Sequence, residues 1–467
     1  MKHRSQKIEV PTEKPFDNDE LGRENTAEKL TTFLKNTDEP IVLSINAEWG
    51  QGKTTFIRMW RQMLKNEDFP TLYYSAWEND FNNDALVTII GEIESEVEEI
   101  LKESDKKLDH AKKHLDKAKN IGGEILSNSL PFLIKILTSG IIDSDKINSN
   151  DIGSLAKNIA REQIKKYQQS KNQVIEFKDT LTSLAEDLNP ENDLPLVIFV
   201  DELDRCRPSF ALEILERIKH LFSTPNVIFV LSIDKKQLIE SIKTVYGQNL
   251  NSSGYLKRFI DLEFSLPTPD VTKFSRAMIK KMGLAKYVGD TNVNLNRNGG
   301  TEVLKIIINL VDYFDCTLRE VEKCYSKVVY TYKVSTRDHD LYPLSLSFLI
   351  LLNIKHDDLY QSFRDGLINT DSLFDTLSQR SKKLNDLVYS DSGIKIWANL
   401  TMANNHYNEI DAMITSLENE ITDESISESE RQFLEKRQKS LNLSGYHVGR
   451  KIIRYIFQNI DMVSSFE

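Results

Sequence analysis

Cysteine is scarce in this 467-residue chain: only Cys206, Cys316 and Cys324 are present. The number is odd and too small for a disulfide framework, and the spacing matches no zinc pattern. A reduced intracellular compartment is therefore expected. Long apolar runs are missing too. The most apolar stretch, residues 130–142 (LPFLIKILTSGII), carries Pro131 and Lys135 and falls short of the ~20 apolar residues a bilayer crossing needs. The opening residues, MKHRSQKIEVPTEKPFDNDE, lack the apolar stretch of a secretory signal. These absences predict a cytoplasmic protein with no membrane partner. A basic excess is also lacking: the net charge is -11 and the pI about 5.4. Such a chain gains no bulk attraction to nucleic-acid phosphates, so contact with nucleic acid would need a local basic patch or a partner protein. No internal repeat and no aromatic-basic groove signature is evident.

What is present is ordinary globular material, 40% hydrophobic and 28% charged, at a length for which the prior is about three domains. Residues 1–18 read as a polar arm. A helix is predicted over 23–34, then a buried strand between Pro40 and Asn46, a helix over Thr55–Leu64 and a strand over 71–76. From about Leu86 to Leu188 the pattern is helical and charged, with an apolar stripe at Ile93, Val97, Leu101, Leu108 and Leu115. It reads as a solvated helical hairpin or short coiled coil inserted in the domain. Strand signals resume at 196–201, 227–233 and 262–266, with a helix over Phe210–Phe222. After Pro267 and Pro269 the periodicity is helical throughout. The division expected is an α/β core in two halves, 19–95 and 189–270, a charged helical insertion at 96–188, and an all-helical C-terminal domain at 271–467. Strands alternating with helices imply a parallel sheet covered on both faces.

The strand IVLSIN runs into Ala47-Glu48-Trp49-Gly50-Gln51-Gly52-Lys53-Thr54-Thr55 and then a helix. This is the G-x-x-x-x-G-K-[ST] phosphate loop, with Ala47 in place of the first glycine. Gly50 and Gly52 let backbone N–H groups turn toward a phosphate, and the helix N-terminus adds unpaired donors. Residues 48–55 are thus the candidate nucleotide-binding set. Lys53 would neutralise the β- and γ-phosphates, and the Thr54 hydroxyl would ligate Mg2+. A neighbouring strand should supply the metal's acidic partner. The run LVIFV ends in Asp201-Glu202, at the sheet edge where ligands bind. Asp201 would hold Mg2+ through water, and Glu202 would orient or deprotonate an attacking water. Asp204 and Arg205 read as a structural ion pair or a subunit contact, and Trp49 and Trp77 as core packing ahead of stacking or packing near a nucleotide.

In combination, Leu21-Gly22-Arg23, INAEWGQGKTTF, YYSAWEND at 73–80, VIFVDELDRCRP at 197–208, VIFVLSIDKKQLIESI, Gly254–Ile260 and SLPTP resemble the KAP family of P-loop NTPases, soluble bacterial type. The resemblance covers roughly residues 17–330. It implies an α/β P-loop core of the STAND and AAA-like kind, ATP rather than GTP, hydrolysis, and an insertion that in many members holds transmembrane helices; here the insertion is charged. It also implies a setting among anti-phage defence genes. No nuclease, protease or deaminase motif appears, so a killing or cutting activity would come from a partner effector encoded nearby, and self-association is expected of a fold class whose subunits complete each other's sites. Ser232 resembles a γ-phosphate sensor, Arg258 a finger reaching a neighbouring subunit, and Arg319 a nucleotide-sensing arginine of the helical domain. Two other function classes stay open: a nucleotide-binding scaffold that does not hydrolyse, and a nucleic-acid motor or loader. His110 and His114 have metal-like i, i+4 spacing but no third ligand, and read as a solvated face.

Overall fold

The computed structural model describes residues 9–37, 39–81, 85–103, 113, 116–117, 175–176, 178–188, 194–219, 223–288, 302–336, 342–405, 407–443 and 450–465. The chain divides into two compact units, one spanning Ile8–Thr268 and one that includes Pro269–Glu467.

The first unit is built on β1 (Val42–Asn46), β2 (Thr71–Ser75), β3 (Leu196–Asp201), β4 (Val227–Ile233) and β5 (Leu262–Ser265). They form one sheet in the order β2-β3-β4-β1-β5, with every neighbouring pair parallel. β1, β3 and β4 fall on the apolar runs that predict them, whereas β5 (LEFS) alternates and is mostly exposed. β3 and β4 are buried along their whole length, as strands covered on both faces must be. The order corrects one expectation: the acidic strand β3 does not adjoin β1. β4 lies between them, paired on both sides, and its seven buried residues (VIFVLSI) would be ill placed at an exposed edge.

On one face lie α1 (Glu24–Lys35) and α2 (Lys53–Asn66). Their apolar stripes close a core with Ile45, Val197, Phe199 and Val230. Trp60 is its centre: fully buried, 5.9 Å from Phe56 and 5.5 Å from Phe199 between ring centroids, with its indole N–H on the Thr31 hydroxyl at 3.0 Å. The other face carries α3 (Ala85–Glu103), α4 (Pro208–Lys219), α5 (Lys235–Tyr246) and α6 (Ser252–Leu256). Here a second expectation changes. Ile89, Ile93 and Val97 of α3, with Leu181, Leu184 and Ala185, pack into the sheet core. The two ends of the segment read as a solvated insertion thus complete the domain. Ile93 and Val97 of the expected stripe face the sheet; the side chains of Leu101, Leu108 and Leu115 lie outside the described residues. Residues 118–174 of that segment, with His110, His114 and the apolar run at 130–142, lie outside the described residues.

The second unit is helical, from α7 (Val271–Met282), α8 (Glu302–Tyr313), α9 (Leu318–Val334) and α10 (Pro343–Lys355) through to a last helix at Arg450–Ser464. α9 starts on a capping box, in which Thr317 and Glu320 each bond the other's backbone N–H. α10 (PLSLSFLILLNIK) is buried from Leu344 to Leu352, so other helices must surround it. Cys206, Cys316 and Cys324 are all free and buried; burial pushes the Cys316 thiol up to about 12. Among the described residues no helix is long and apolar enough to cross a membrane.

Trp60→Ala should destabilise the first unit by about 3–5 kcal/mol, the range for emptying a large aromatic site. Trp60→Phe should cost less. Urea unfolding of the three proteins measures this, and a loss below about 1 kcal/mol for Trp60→Ala would show that the ring is not the centre of that core.

Candidate functional site

The phosphate loop spans the gap between β1 and α2. Gly50 and Gly52 both hold φ at +80°, a left-handed conformation that costs a residue with a Cβ about 1–2 kcal/mol. Ala47, where the motif has glycine, is not among the residues of positive φ and is packed in the α2-side core. That position needs no glycine, which explains the departure from the pattern. Backbone and side chains fasten the loop to β4. Ala47 N–H donates to the Ile233 carbonyl at 3.2 Å, Trp49 N–H to the Asp234 carboxylate at 3.0 Å, and Lys235 N–H to the Asn46 side chain at 3.0 Å. Asp234 also caps α5 through the N–H groups of Lys236 and Gln237. Glu48, on the exposed crest, pairs with Lys236 at 2.5 Å. From the N-terminal side the buried Arg23 donates to the carbonyls of Gly52 at 3.5 Å and Pro267 at 3.3 Å, which ties the Leu-Gly-Arg segment to the loop.

Alternation along the strands decides which acids reach this loop. Val197 and Phe199 of β3, and Ile228 and Val230 of β4, belong to the α2-side core, so Asp201 and Ser232 fall on the same face. Asp201 is 1% exposed. It accepts from the Tyr73 hydroxyl at 3.0 Å and from Glu202 N–H at 2.8 Å. Burial and the Asp201 charge raise the Tyr73 phenol well above its usual range, which keeps it a donor. Ser75 sits in register with Asp201 and donates to one Glu202 oxygen at 3.2 Å. Arg205 Nη1 meets the other at 2.5 Å. Burial raises the Glu202 carboxyl above the ordinary range, with Arg205 opposing. Glu202 itself stands at φ +61°, a strained bend of the kind found at functional sites.

Asp204 and Arg205 each form an ion pair, though with different partners. Asp204 faces the loop: it accepts from the Trp49 indole N–H and lies 4.0 Å from Lys53 Nζ. Its Oδ1 is buried with no hydrogen-bond partner. Lys53 donates to the Ala47 carbonyl at 2.5 Å. Burial lowers its pKa, and the charges of Asp204, Asp234 and Asp201 counter that.

The structure therefore gathers Lys53, Asp201, Glu202 and the loop 48–52, with Thr54 and Thr55 half-buried in the first turn of α2. Ser232 is buried, its hydroxyl unpartnered. Arg258 is exposed, 5.7 Å above the Tyr255 ring. Arg319 is exposed in the first turn of α9, in the other unit. The two tryptophans correct the reading of them as core: Trp49 is 46% and Trp77 53% exposed. Each instead serves a polar neighbour, Trp49 as donor to Asp204 and Trp77 as a platform 5.8 Å from the Arg205 guanidinium. Tyr73, Ser75, Asp204 and Asp234 were not singled out as site residues in the sequence. Only the strand alternation that carries Asp201 inward could have flagged Tyr73 and Ser75.

A glycine-rich loop between a buried strand and a helix, facing a buried Asp201 and a half-buried Glu202 at the carboxyl edge of a parallel sheet, defines a P-loop NTPase core. The chain belongs to the KAP family: residues 23–335, more than half of its length, match the KAP family P-loop domain. It is also similar to the phage T7 exclusion protein of Escherichia coli (strain K12), at 24% identity over 172 residues. That match covers 36% of this chain and 22% of the relative, so the chain spans about a fifth of that protein.

The left-handed bend at Glu202 makes a sharp prediction. Glu202→Gly should be more stable than Glu202→Ala by about 1 kcal/mol, since only glycine adopts that φ freely. Thermal melts of the two variants test it; equal melting temperatures would mean the bend relaxes.

Proposed function

We propose that this protein binds ATP with Mg2+ and hydrolyses it, working as a regulated switch in bacterial anti-phage defence alongside an effector protein. The observation that carries the proposal is the buried Lys53 ammonium, inside the phosphate loop, with Asp201 and Glu202 at the carboxyl end of β3 on the same edge of the sheet. In this reading residues 48–55 cradle the phosphates. Lys53 neutralises the β- and γ-phosphates, Thr54 and Asp201 hold Mg2+, Glu202 orients and deprotonates the water, and Ser232 meets the γ-phosphate. The residues fit such guests: Asp204 Oδ1 and Ser232 Oγ are buried and lack partners; Asp204 Oδ1 would accept from a water on the metal, and the Ser232 hydroxyl would donate to a phosphate oxygen. Among the described residues no three His, Cys, Asp or Glu side chains gather to hold a metal alone; Mg2+ in such sites completes its shell with water and substrate phosphates. The defence role draws on the name of the phage T7 exclusion protein and on the family resemblance.

Lys53→Ala should lose binding of a non-hydrolysable ATP analogue in isothermal titration, and unchanged affinity would sink the phosphate-loop assignment. Glu202→Gln should keep that binding and lose more than tenfold in steady-state hydrolysis, which is more than ~1.4 kcal/mol of barrier. A non-hydrolysing scaffold predicts no wild-type turnover at all.

Self-association is the further part of this reading. Arg258 stands exposed over the Tyr255 ring, and the Tyr255 and Tyr246 hydroxyls share Glu216 at 2.7 and 2.6 Å. As a finger acting in a neighbour's site, it would complete the catalytic charge there. A mixture of Arg258→Ala and Lys53→Ala proteins should then recover hydrolysis that neither shows alone. No recovery in a mixture shown by light scattering to co-assemble would leave Arg258 a surface residue.

A further inference from the structure

A base that must aim one carboxylate oxygen at a water is useful only if its side chain is held. Glu202 is held on both oxygens by different parts of the chain. Ser75, at the end of β2, donates to Oε2 at 3.2 Å. Arg205, at the end of the single turn Leu203–Arg205 that follows β3, places Nη1 2.5 Å from Oε1. The left-handed bend at Glu202 makes this possible: it closes the turn, with Arg205 N–H on the Glu202 carbonyl at 3.1 Å, and so folds the arginine back onto the residue three before it.

The bland reading is a local surface ion pair, which contributes little. Two observations set this pair apart. The Glu202 side chain is only 12% exposed. And Arg205 is itself supported, 5.8 Å from the Trp77 ring in a loop fastened at both ends. Asn79 donates to the Ser75 carbonyl at 3.0 Å, while Arg207 meets Asp80 through its backbone N–H and its Nε, both at 2.8 Å. Trp77 keeps 53% of its surface exposed, so the ring serves as a platform for the cation.

Resting on the assignment of Glu202 as the base, we infer that Arg205 is its positioning residue. It acts on hydrolysis only through the Glu202 carboxylate, and Trp77 holds it there. Glu202 is thus fixed by a chain of contacts running from the β2–α3 loop, through Trp77 and Arg205, to the water-activating oxygen.

A double-mutant cycle tests this. Arg205→Ala should lower kcat at least tenfold with the affinity for a non-hydrolysable ATP analogue unchanged, and Arg205→Lys should recover part of the loss. In a Glu202→Gln background Arg205→Ala should cost nothing more. A loss that adds in full to that of Glu202→Gln would overturn the inference, because the arginine would then act on the phosphates directly or on the fold. A kcat raised by Arg205→Ala would overturn it too, making the pair a brake. A second readout needs no turnover. Acrylamide quenching of Trp77, assigned by difference from Trp77→Phe, should rise in Arg205→Ala and in Glu202→Gln, because each breaks the chain of contacts. Unchanged quenching in both would refute the support role of Trp77. Wild-type-like hydrolysis by Glu202→Gln is a separate outcome, and it removes Glu202 as base whatever Arg205 does.

Discussion

The site is organised by one constraint, a lysine ammonium that has been taken out of water. The Lys53 side chain is 9% exposed, and a buried cation is tolerated only where negative charge and acceptors surround it. The fold supplies these from three places: the Ala47 carbonyl within the loop, Asp204 at 4.0 Å, and the fields of Asp234 and Asp201 from the ends of β4 and β3. Each supporting group is fixed in turn. Asp234 is held by the Trp49 and α5 backbone N–H groups, Asp201 by Tyr73, and Asp204 by the Trp49 indole. A triphosphate entering the loop would therefore exchange one set of anionic partners for another. Trp49, bonded to both Asp234 and Asp204, lies where that exchange would be felt.

Around this ammonium the backbone is bent where the chemistry needs it. The left-handed positions of the loop are filled by Gly50 and Gly52, where no Cβ opposes the turn. The one at Glu202 is not, and there the chain bears the strain of a side chain at φ +61°. In return, the turn after β3 delivers three charged side chains in three directions: Glu202 toward Ser75, Asp204 toward Lys53, and Arg205 back onto Glu202. This compactness explains why a short DELDR segment governs so much of the site.

The sheet was legible in the sequence because strands buried on both faces must read as unbroken apolar runs, and LVIFVD and VIFVLSI do. The phosphate loop was legible because its glycines and Lys-Thr pair sit between a strand and a helix. Sheet order was not, since chain order carries no mark that β4 is to lie between β1 and β3. The spacing of Ile93 and Val97 on α3 fixes a face but not its partner, since spacing cannot tell a coiled-coil partner from a sheet. A large aromatic is ordinarily core, so sequence alone does not reveal Trp49 and Trp77, where the polar edge of one ring and the π-face of the other are what is used. Asp204 and Arg205 were recognised as ion-pair residues, but their partners depend on the bend at Glu202, which no local pattern announces.

The account turns on the claim that Lys53 holds the phosphates of a nucleotide at the carboxyl edge of this sheet. A crystal structure with Mg2+ and a non-hydrolysable ATP analogue tests it directly. The account predicts that Lys53 Nζ leaves the Ala47 carbonyl for the β- and γ-phosphate oxygens, with the metal between Thr54 and Asp201. A structure in which the nucleotide lies elsewhere while Lys53 keeps Ala47 and Asp204 as its partners would contradict it.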